Sequence, residues 1–373
     1  MIKILFFIET LKAGGAEKVL CDLVNNMDQS KFAITVQTVW KQDPGKYLVP
    51  GIRYKYMYEA QNAMNRVRYR AEAAAGLSYR LHIKDNYDIE CAYLEMGPTK
   101  IMSQSTNKKA IKLAWVHCDL KQAVSDIPEF VKKTTPWYAV FDQIVCVSNS
   151  AKTSFDEIFH HRFKSTALYN VVNDESIHNK AEKEMNFDLK HRKFTILSVG
   201  RFVAPKNYKR LLKVHKRLLE EGIDHDLWIM GDGPERPMLE EYIRENDLEC
   251  SVFMPGFAEN PYPYMREADL LVCSSNYEGF STFMTEGLIL GKPIVSTAVS
   301  GTFELFGDSE YGLVTNNDDE DFYLGVKRMA TSAELREEYT EKAVCRGQEF
   351  STERLVRETE KFLMDRVELY KDK

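Results

Sequence analysis

Two glutamates eight residues apart, Glu278 and Glu286, stand in NYEGFSTFMTEGLILGKP (276–293), a stretch otherwise rich in small and apolar residues. Moving a carboxylate into apolar surroundings is costly unless a partner compensates, so each acid needs a reason to be there. Glu278 lies in a loop beside Gly279. Glu286 falls about one turn into a helix expected to start near Ser281–Thr282 and to run to about 290. A helix start there leaves the amides of Gly279, Phe280 and Ser281 without partners inside the helix and suited to a phosphate oxygen. Glu286 could then accept hydrogen bonds from two vicinal hydroxyls, as on a ribose, while Glu278 addresses another part of the same ligand. The plainer account makes Glu286 a partner of the helix dipole and Glu278 a turn cap. It explains poorly an acid set among Phe283, Leu288, Ile289 and Leu290.

Three other short segments carry comparable chemistry. VGRFVAPKN (199–207) places Arg201 and Lys206 on the turn leaving an expected strand. A forked guanidinium and an ammonium suit a diphosphate, although two solvated surface cations would read the same way. GDGPE (231–235) is a tight turn into a helix, with Gly231 at its head and Pro234 near the helix start. It is not a GxGxxG. GGAE (14–17) puts Gly14 and Gly15 where backbone can approach a phosphate or sugar at the next helix start, or merely turn.

The elements that must position these residues alternate along the chain. Strands are expected at 2–8, 34–40, 89–95, 112–117 and 143–148, with helices at 14–27 and 60–84. The polar stretch 173–192 reads as a linker. Beyond it come strands at 194–200, 226–233, 251–257, 268–275 and 293–297, and helices at 208–222, 235–247 and 282–290. The pattern implies α/β architecture: two doubly wound parallel sheets covered on both faces, with ligands beyond the carboxyl ends of the strands. The expected division is 1–188, 189–350 and a C-terminal helix at 351–373 that packs back on the N-terminal domain.

Composition narrows the classes. The chain has 373 residues and a formal net charge of −6, which speaks against general nucleic-acid binding. Residues 1–188 hold 25 basic and 22 acidic residues, the remainder 25 and 34, so the first half is the better candidate for an anionic surface. The seven cysteines form no CxxC pair or zinc spacing and read as core residues in a reducing cytosol. No apolar run approaches the roughly 20 residues needed to span a bilayer. The run ILFFI near the N-terminus reads as a buried strand rather than a signal peptide.

Taken together, EGFSTFMTEGLILGKPIVST with VGRFVAPKN and GDGPE upstream resembles the retaining glycosyltransferases of family 4, the group 1 type with the GT-B fold. The likeness is strong over 194–320 and weaker over 1–190, through GGAEKVL, AWVHCD (114–119) and VCVSNS (145–150). The resemblance implies two Rossmann-like domains facing across a cleft, an acceptor domain first and a nucleotide-sugar donor domain second. It implies that Arg201 and Lys206 clamp the donor diphosphate, that Glu286 binds ribose and that Glu278 contacts the donor sugar. It implies that Gly14, Gly15, Gly231, Gly279, Phe280, Ser281 and Thr282 belong to the donor site, Gly14 and Gly15 closing over donor or acceptor. It also implies that His117 lies near the transferred sugar, with Asp119 an additional candidate. Ser281 and Thr282 depart from the glycine and leucine usual after EGF, so sugar contacts there are expected to differ.

The implied activity is that of a hexosyltransferase. It moves a hexose or N-acetylhexosamine, with retention, from a nucleotide sugar to a lipid-linked glycan acceptor. The setting is bacterial surface polysaccharide (capsule, O-antigen or exopolysaccharide), and UDP is the favoured donor base. No cofactor or metal is expected: the acidic run NNDDED (316–321) reads as a solvated helix start. Expected partners are the nucleotide sugar and the glycan acceptor, with no nucleic acid. Location is expected to be cytoplasmic and peripheral at the inner face of the plasma membrane. Arg66, Arg68, Arg70 and Arg80, with Lys132, Lys133 and Trp137, could rest on anionic headgroups, or form ordinary solvated faces. The alternatives are a GT-B sugar-nucleotide 2-epimerase and a non-catalytic GT-B binding subunit.

Overall fold

The computed structural model describes residues 1–12, 14–187 and 194–371. It divides into two compact units, Met1–Val172 with Thr352–Lys373, and Asn173–Ser351. The domain boundary expected at 188/189 lies outside the described residues. Asp174–Ala181, inside the stretch read as a linker, is a helix capped by Asn173, whose side chain accepts from the Ser176 amide.

Among the described residues, unit one holds a seven-stranded sheet and unit two a six-stranded one, every pairing parallel. The first comprises β1 (Ile2–Ile8), β2 (Phe32–Trp40), β3 (Arg53–Tyr58), β4 (Ile89–Ala92), β5 (Ile111–Val116), β6 (Gln143–Cys146) and β7 (Ser165–Ala167), in the order β3-β2-β1-β4-β5-β6-β7. The second comprises β8 (Phe194–Val199), β9 (His225–Met230), β10 (Val252–Gly256), β11 (Leu270–Cys273), β12 (Ile294–Thr297) and β13 (Leu313–Thr315), in the order β10-β9-β8-β11-β12-β13. The central strands are buried over β1's last five residues and along the whole of β9 and β11, as a parallel sheet covered on both faces requires.

Three strands were not anticipated, and all are edges. β3 (RYKYMY) mixes charge with aromatics and is buried only at Met57 and Tyr58. β7 and β13 have three residues each. The helix expected at 60–84 is two, Ala63–Ala74 and Ser78–His82, broken at Gly76 where φ is +72°. The final helix, Thr352–Lys371, packs on unit one. Glu360 accepts from the Asp28 amide at 2.6 Å, Arg366 donates to Gln143 at 2.8 Å and Tyr370 to the Lys108 carbonyl at 3.0 Å.

Candidate functional site

In unit two the strand order reverses between β8 and β11, and the segments leaving their carboxyl ends meet there. After β8 the chain makes a 3-10 turn at Ala204–Lys206 and reaches Asn207, whose φ of 47° and ψ of 48° are left-handed. Asn207 caps the helix Tyr208–Glu220, its side chain accepting from the Arg210 amide at 3.3 Å. After β11 come Ser274 to Ser281. Three hydrogen bonds stitch the segments together: the Asn276 amide to the Pro205 carbonyl (2.7 Å), Ser274 Oγ to the Lys206 carbonyl (2.9 Å) and Asn207 Nδ2 to Asn276 Oδ1 (3.0 Å).

That stitching brings Lys206 Nζ to 2.5 Å from Glu278 Oε1. The same oxygen accepts from Ser275 Oγ at 2.7 Å and from Cys273 Sγ at 3.8 Å. Oε2 accepts no hydrogen bond among the described residues. Burial lowers the Lys206 pKa, but the Glu278 carboxylate beside it prevails and holds it above the ordinary lysine value. The ammonium is therefore charged throughout the physiological range. Burial, then Glu278, raises the Cys273 thiol pKa, so its sulfur keeps the proton it donates.

The other donor-site candidates of unit two lie in the loops after β8, β9 and β11 and in the helix that follows β11. Arg201 is exposed, and its guanidinium has no hydrogen bond or ion pair among the described residues. Gly231 has φ +143°, and its amide donates to the Gly256 carbonyl at 2.9 Å. A Cβ there would meet the Gly200 carbonyl oxygen at 1.9 Å, so only glycine lets the turns after β8 and β9 approach this closely. The helix Thr282–Ile289 begins at the expected place, with Ser281 as N-cap accepting from the Met284 amide. Gly279 and Phe280 precede it, and Phe280 is buried against Phe350 with centroids 6.1 Å apart. Glu286, 7% exposed, accepts from the buried Tyr262 hydroxyl at 3.1 Å.

The remaining candidates belong to unit one. Gly14 is the N-cap of the helix Gly15–Asn26, in extended conformation and without a side-chain cap. His117 follows β5, its ring 4.9 Å from that of Tyr93 and its Nε2 buried without a hydrogen-bond partner. Burial pushes the imidazole down to about 3, against a hydrogen bond with the Tyr93 backbone, so it is neutral near pH 7. Glu95, three residues past β4, accepts from the amides of His117 and Cys118 and from the Cys118 thiol, and burial raises its carboxyl pKa despite those bonds. Asp119 caps the short helix Leu120–Ala123.

Sequence reasoning missed Ser274, Ser275, Tyr262, Arg210 and Glu95. The pair of serines ending ADLLVCSS, at the foot of a strand and just before NYEGF, was a usable signal. Tyr262 and Arg210 offered none, because each owes its role to a residue 24 or more positions away.

Three comparisons bear on this geometry. A family model described as glycosyl transferases group 1 matches residues 179–344. An N-acetylgalactosamine-N,N'-diacetylbacillosaminyl-diphospho-undecaprenol 4-alpha-N-acetylgalactosaminyltransferase of Campylobacter jejuni is 36% identical over 203 residues, 54% of this chain and 54% of that protein. A lipopolysaccharide core biosynthesis glycosyltransferase, LpsD, of Rhizobium meliloti is 30% identical over 145 residues, 39% of this chain and 41% of that one. The chain thus spans about half the length, or less, of these curated relatives. Among solved structures, Anabaena HepE in complex with UDP and glucose superposes with a TM-score of 0.77 at 15% identity, covering 98% of this chain and 100% of that one.

Proposed function

We propose, from the premise that the chain belongs over residues 179–344 to the group 1 glycosyl transferases and has their two-domain α/β GT-B fold, that it moves a hexose or N-acetylhexosamine from a UDP-sugar to a lipid-linked glycan with retention of configuration. The observation that carries the reading is the Lys206–Glu278 pair at the β8/β11 switch point, with one Glu278 oxygen saturated and the other open. Lys206 and the exposed Arg201 take the diphosphate, assisted by the amides of Gly279, Phe280 and Ser281. Glu286 takes the ribose, held by Tyr262, and Glu278 Oε2 takes a donor-sugar hydroxyl. Within unit one, Gly14, Gly15 and a neutral His117 are the residues this reading assigns to sugar recognition. The likenesses to a diphospho-undecaprenol transferase and to a protein solved in complex with UDP and glucose support the choice of acceptor and base. The setting is bacterial surface polysaccharide assembly.

The chemistry is a same-face displacement. The bond from the anomeric carbon to the donor phosphate oxygen breaks, and its electron pair stays on the diphosphate. Lys206, Arg201 and the helix start stabilise that growing charge. The acceptor hydroxyl oxygen bonds to the anomeric carbon, and its proton passes to the departing phosphate. The cations do this work without a metal ion, so turnover is expected to survive excess EDTA; its loss would require a divalent cation in the scheme.

The decisive experiment is a thermal-shift screen against nucleotide sugars, since a bound donor stabilises by mass action. Transfer to polyprenyl-diphosphate-linked glycans follows, with the product anomer read by NMR. Stabilisation by UDP-sugars and an α-linked product from an α-linked donor are expected. Turnover of the sugar nucleotide alone, with inversion at C2 and no acceptor, would replace the transferase by an epimerase. Absence of any nucleotide response would favour a non-catalytic subunit.

We place the protein at the cytoplasmic face of an anionic membrane. The helix Ala63–Ala74 buries only Ala73 and leaves Met64 74% and Val67 67% exposed beside Arg66 and Arg70. Trp137 carries Lys100 and Lys133 near its ring, at 5.8 and 6.0 Å. No described helix is long and apolar enough to cross a membrane. Salt-sensitive co-sedimentation with phosphatidylglycerol vesicles is expected; binding equal to that of neutral vesicles would refute the placement.

A further inference from the structure

We infer that the acidic run NNDDED, at 316–321, is a brace that sets the separation of Lys206 and Glu278, with Arg210 and Asn317 as positioning residues. The functional weight of this brace rests on the donor-site reading above. Asp318 caps the helix Asp319–Thr331 in the way the sequence suggests, accepting from the Asp321 amide at 2.8 Å. Its two neighbours do something else. Arg210 on the helix Tyr208–Glu220 is only 7% exposed. A guanidinium held there is stable only if its donors find acceptors. Nε donates to Asp319 Oδ1 at 2.8 Å, and Nη1 to Asn317 Oδ1 at 2.7 Å and, more loosely, to the Ser274 carbonyl at 3.4 Å.

Asn317 passes the constraint onward. Its Nδ2 donates to the Asn276 carbonyl at 2.9 Å. Asn276 is bonded in turn to Pro205 and Asn207, and Asn207 accepts from the Arg210 amide. The circuit closes on itself. Lys206 sits between Pro205 and Asn207 on one side of it, and Glu278 lies two residues beyond Asn276 on the other. Neither Arg210 nor Asn317 is assigned any contact with the donor. What they determine is how far apart the two loops stand, and hence whether one Glu278 oxygen stays locked on Lys206 while the other faces outward. Asn317 is exposed and fills no core space, so its replacement should move the loop without unfolding the unit.

The test is Asn317→Asp, which keeps an oxygen for Arg210 and replaces the amide facing the Asn276 carbonyl with a second oxygen. Its crystal structure is expected to show segment 276–278 displaced and the Lys206–Glu278 contact opened beyond hydrogen-bond reach. Calorimetry with UDP is expected to give binding weaker by roughly three- to tenfold. Combining it with Lys206→Ala should weaken UDP binding no further than Lys206→Ala alone, because both act through one contact. An unmoved loop, wild-type UDP affinity, or additive losses would each overturn the brace. Asn317→Ala serves for the same measurements if the aspartate variant does not fold. If the wild-type protein binds none of UDP, GDP and ADP, the donor-site reading fails, while the loop comparison still decides whether the brace exists.

Discussion

The ammonium of Lys206 lies 2.5 Å from Glu278 Oε1, although the two residues are 72 positions apart. Each is the other's charge partner in a partly buried setting, and an incoming diphosphate would compete for the lysine. Lys206→Ala is expected to lower turnover by roughly 10²–10³-fold, the scale of losing one preorganised group that stabilises a leaving anion. Circular dichroism should stay close to wild type. Turnover within threefold of wild type would remove Lys206 from the clamp.

In the proposed site Ser275 supports the acid assigned to the sugar. It is 1% exposed and donates to the saturated Glu278 oxygen at 2.7 Å. Ser275→Ala should let the carboxylate turn and reduce kcat/KM by about five- to tenfold, the usual scale of one net hydrogen bond. UDP affinity should fall less than kcat/KM, because Lys206 still holds the same carboxylate oxygen. A matching fall in UDP affinity would mean that Ser275 supports the whole loop instead.

In the proposed site Glu286 and Tyr262 bear on the ribose and not on the diphosphate. Glu286→Gln removes a charged acceptor and is expected to weaken UDP binding by about tenfold or more. Tyr262→Phe frees the carboxylate from its 3.1 Å hydroxyl and should have a smaller effect in the same direction. Inorganic pyrophosphate binding, measured by competition, should be unchanged in both. Equal loss of pyrophosphate would contradict the ribose assignment.

Gly231 tests the loop packing under the site. A methyl group would meet the Gly200 carbonyl, and the backbone angle is one that L side chains rarely adopt. Gly231→Ala is expected to destabilise unit two by about 2–4 kcal/mol, the range of backbone strain combined with overpacking. Urea unfolding measures it. A loss under about 0.5 kcal/mol, the scale of a neutral surface change, would show that the two turns need not touch.

Acid sensitivity should come from a buried imidazole chain. His225 Nδ1 lies 2.8 Å from the Ile223 carbonyl, which assigns it the proton; His225 Nε2 then accepts from His215 Nδ1 at 2.8 Å, and His215 Nε2 faces Ser251 Oγ at 2.8 Å. Burial, then His225, pushes His215 from 6.5 down to about 3. In the unfolded chain it titrates near the ordinary value, so between those limits the unfolded state binds the extra proton. Stability is therefore present above pH 6.5 and falls as pH drops through the window, by at most about 1.4 kcal/mol per pH unit for one such group. The unfolding midpoint of wild type should drop between pH 7 and 5, and that of His215→Gln should drop less steeply. Equal slopes would rule out the imidazole chain.

The interior of each sheet was legible because central strands such as FTILSVG and DLWIMGDG are buried on both faces and carry no charge within the apolar run. The edges were not. RYKYMY is wet along part of its length, and three-residue strands such as Leu313–Thr315 are too short to form a pattern. The helix start at Ser281 was legible because capping is local: the side chain bonds an amide three residues on. The helix at the start of the polar stretch after 173 left no periodic signal, since Asp174–Ala181 buries only Ile177 and Ala181 and is otherwise polar.

Residue order alone therefore determined which chemical groups stand at the strand ends: two cations after β8, an acid before a helix start after β11, and a second acid one turn inside. Those facts depend on periodicity and capping, which act over a few residues. Only the tertiary structure decided that strands β8 and β11 are neighbours, and so that Lys206 meets Glu278. The same holds for the choice of Ser275 and Tyr262 as supports, and for the buried arginine that links an acidic run to the loop. Such pairings are made by hydrogen bonds between segments brought together by sheet order, and a linear chain carries no local mark of its distant partner.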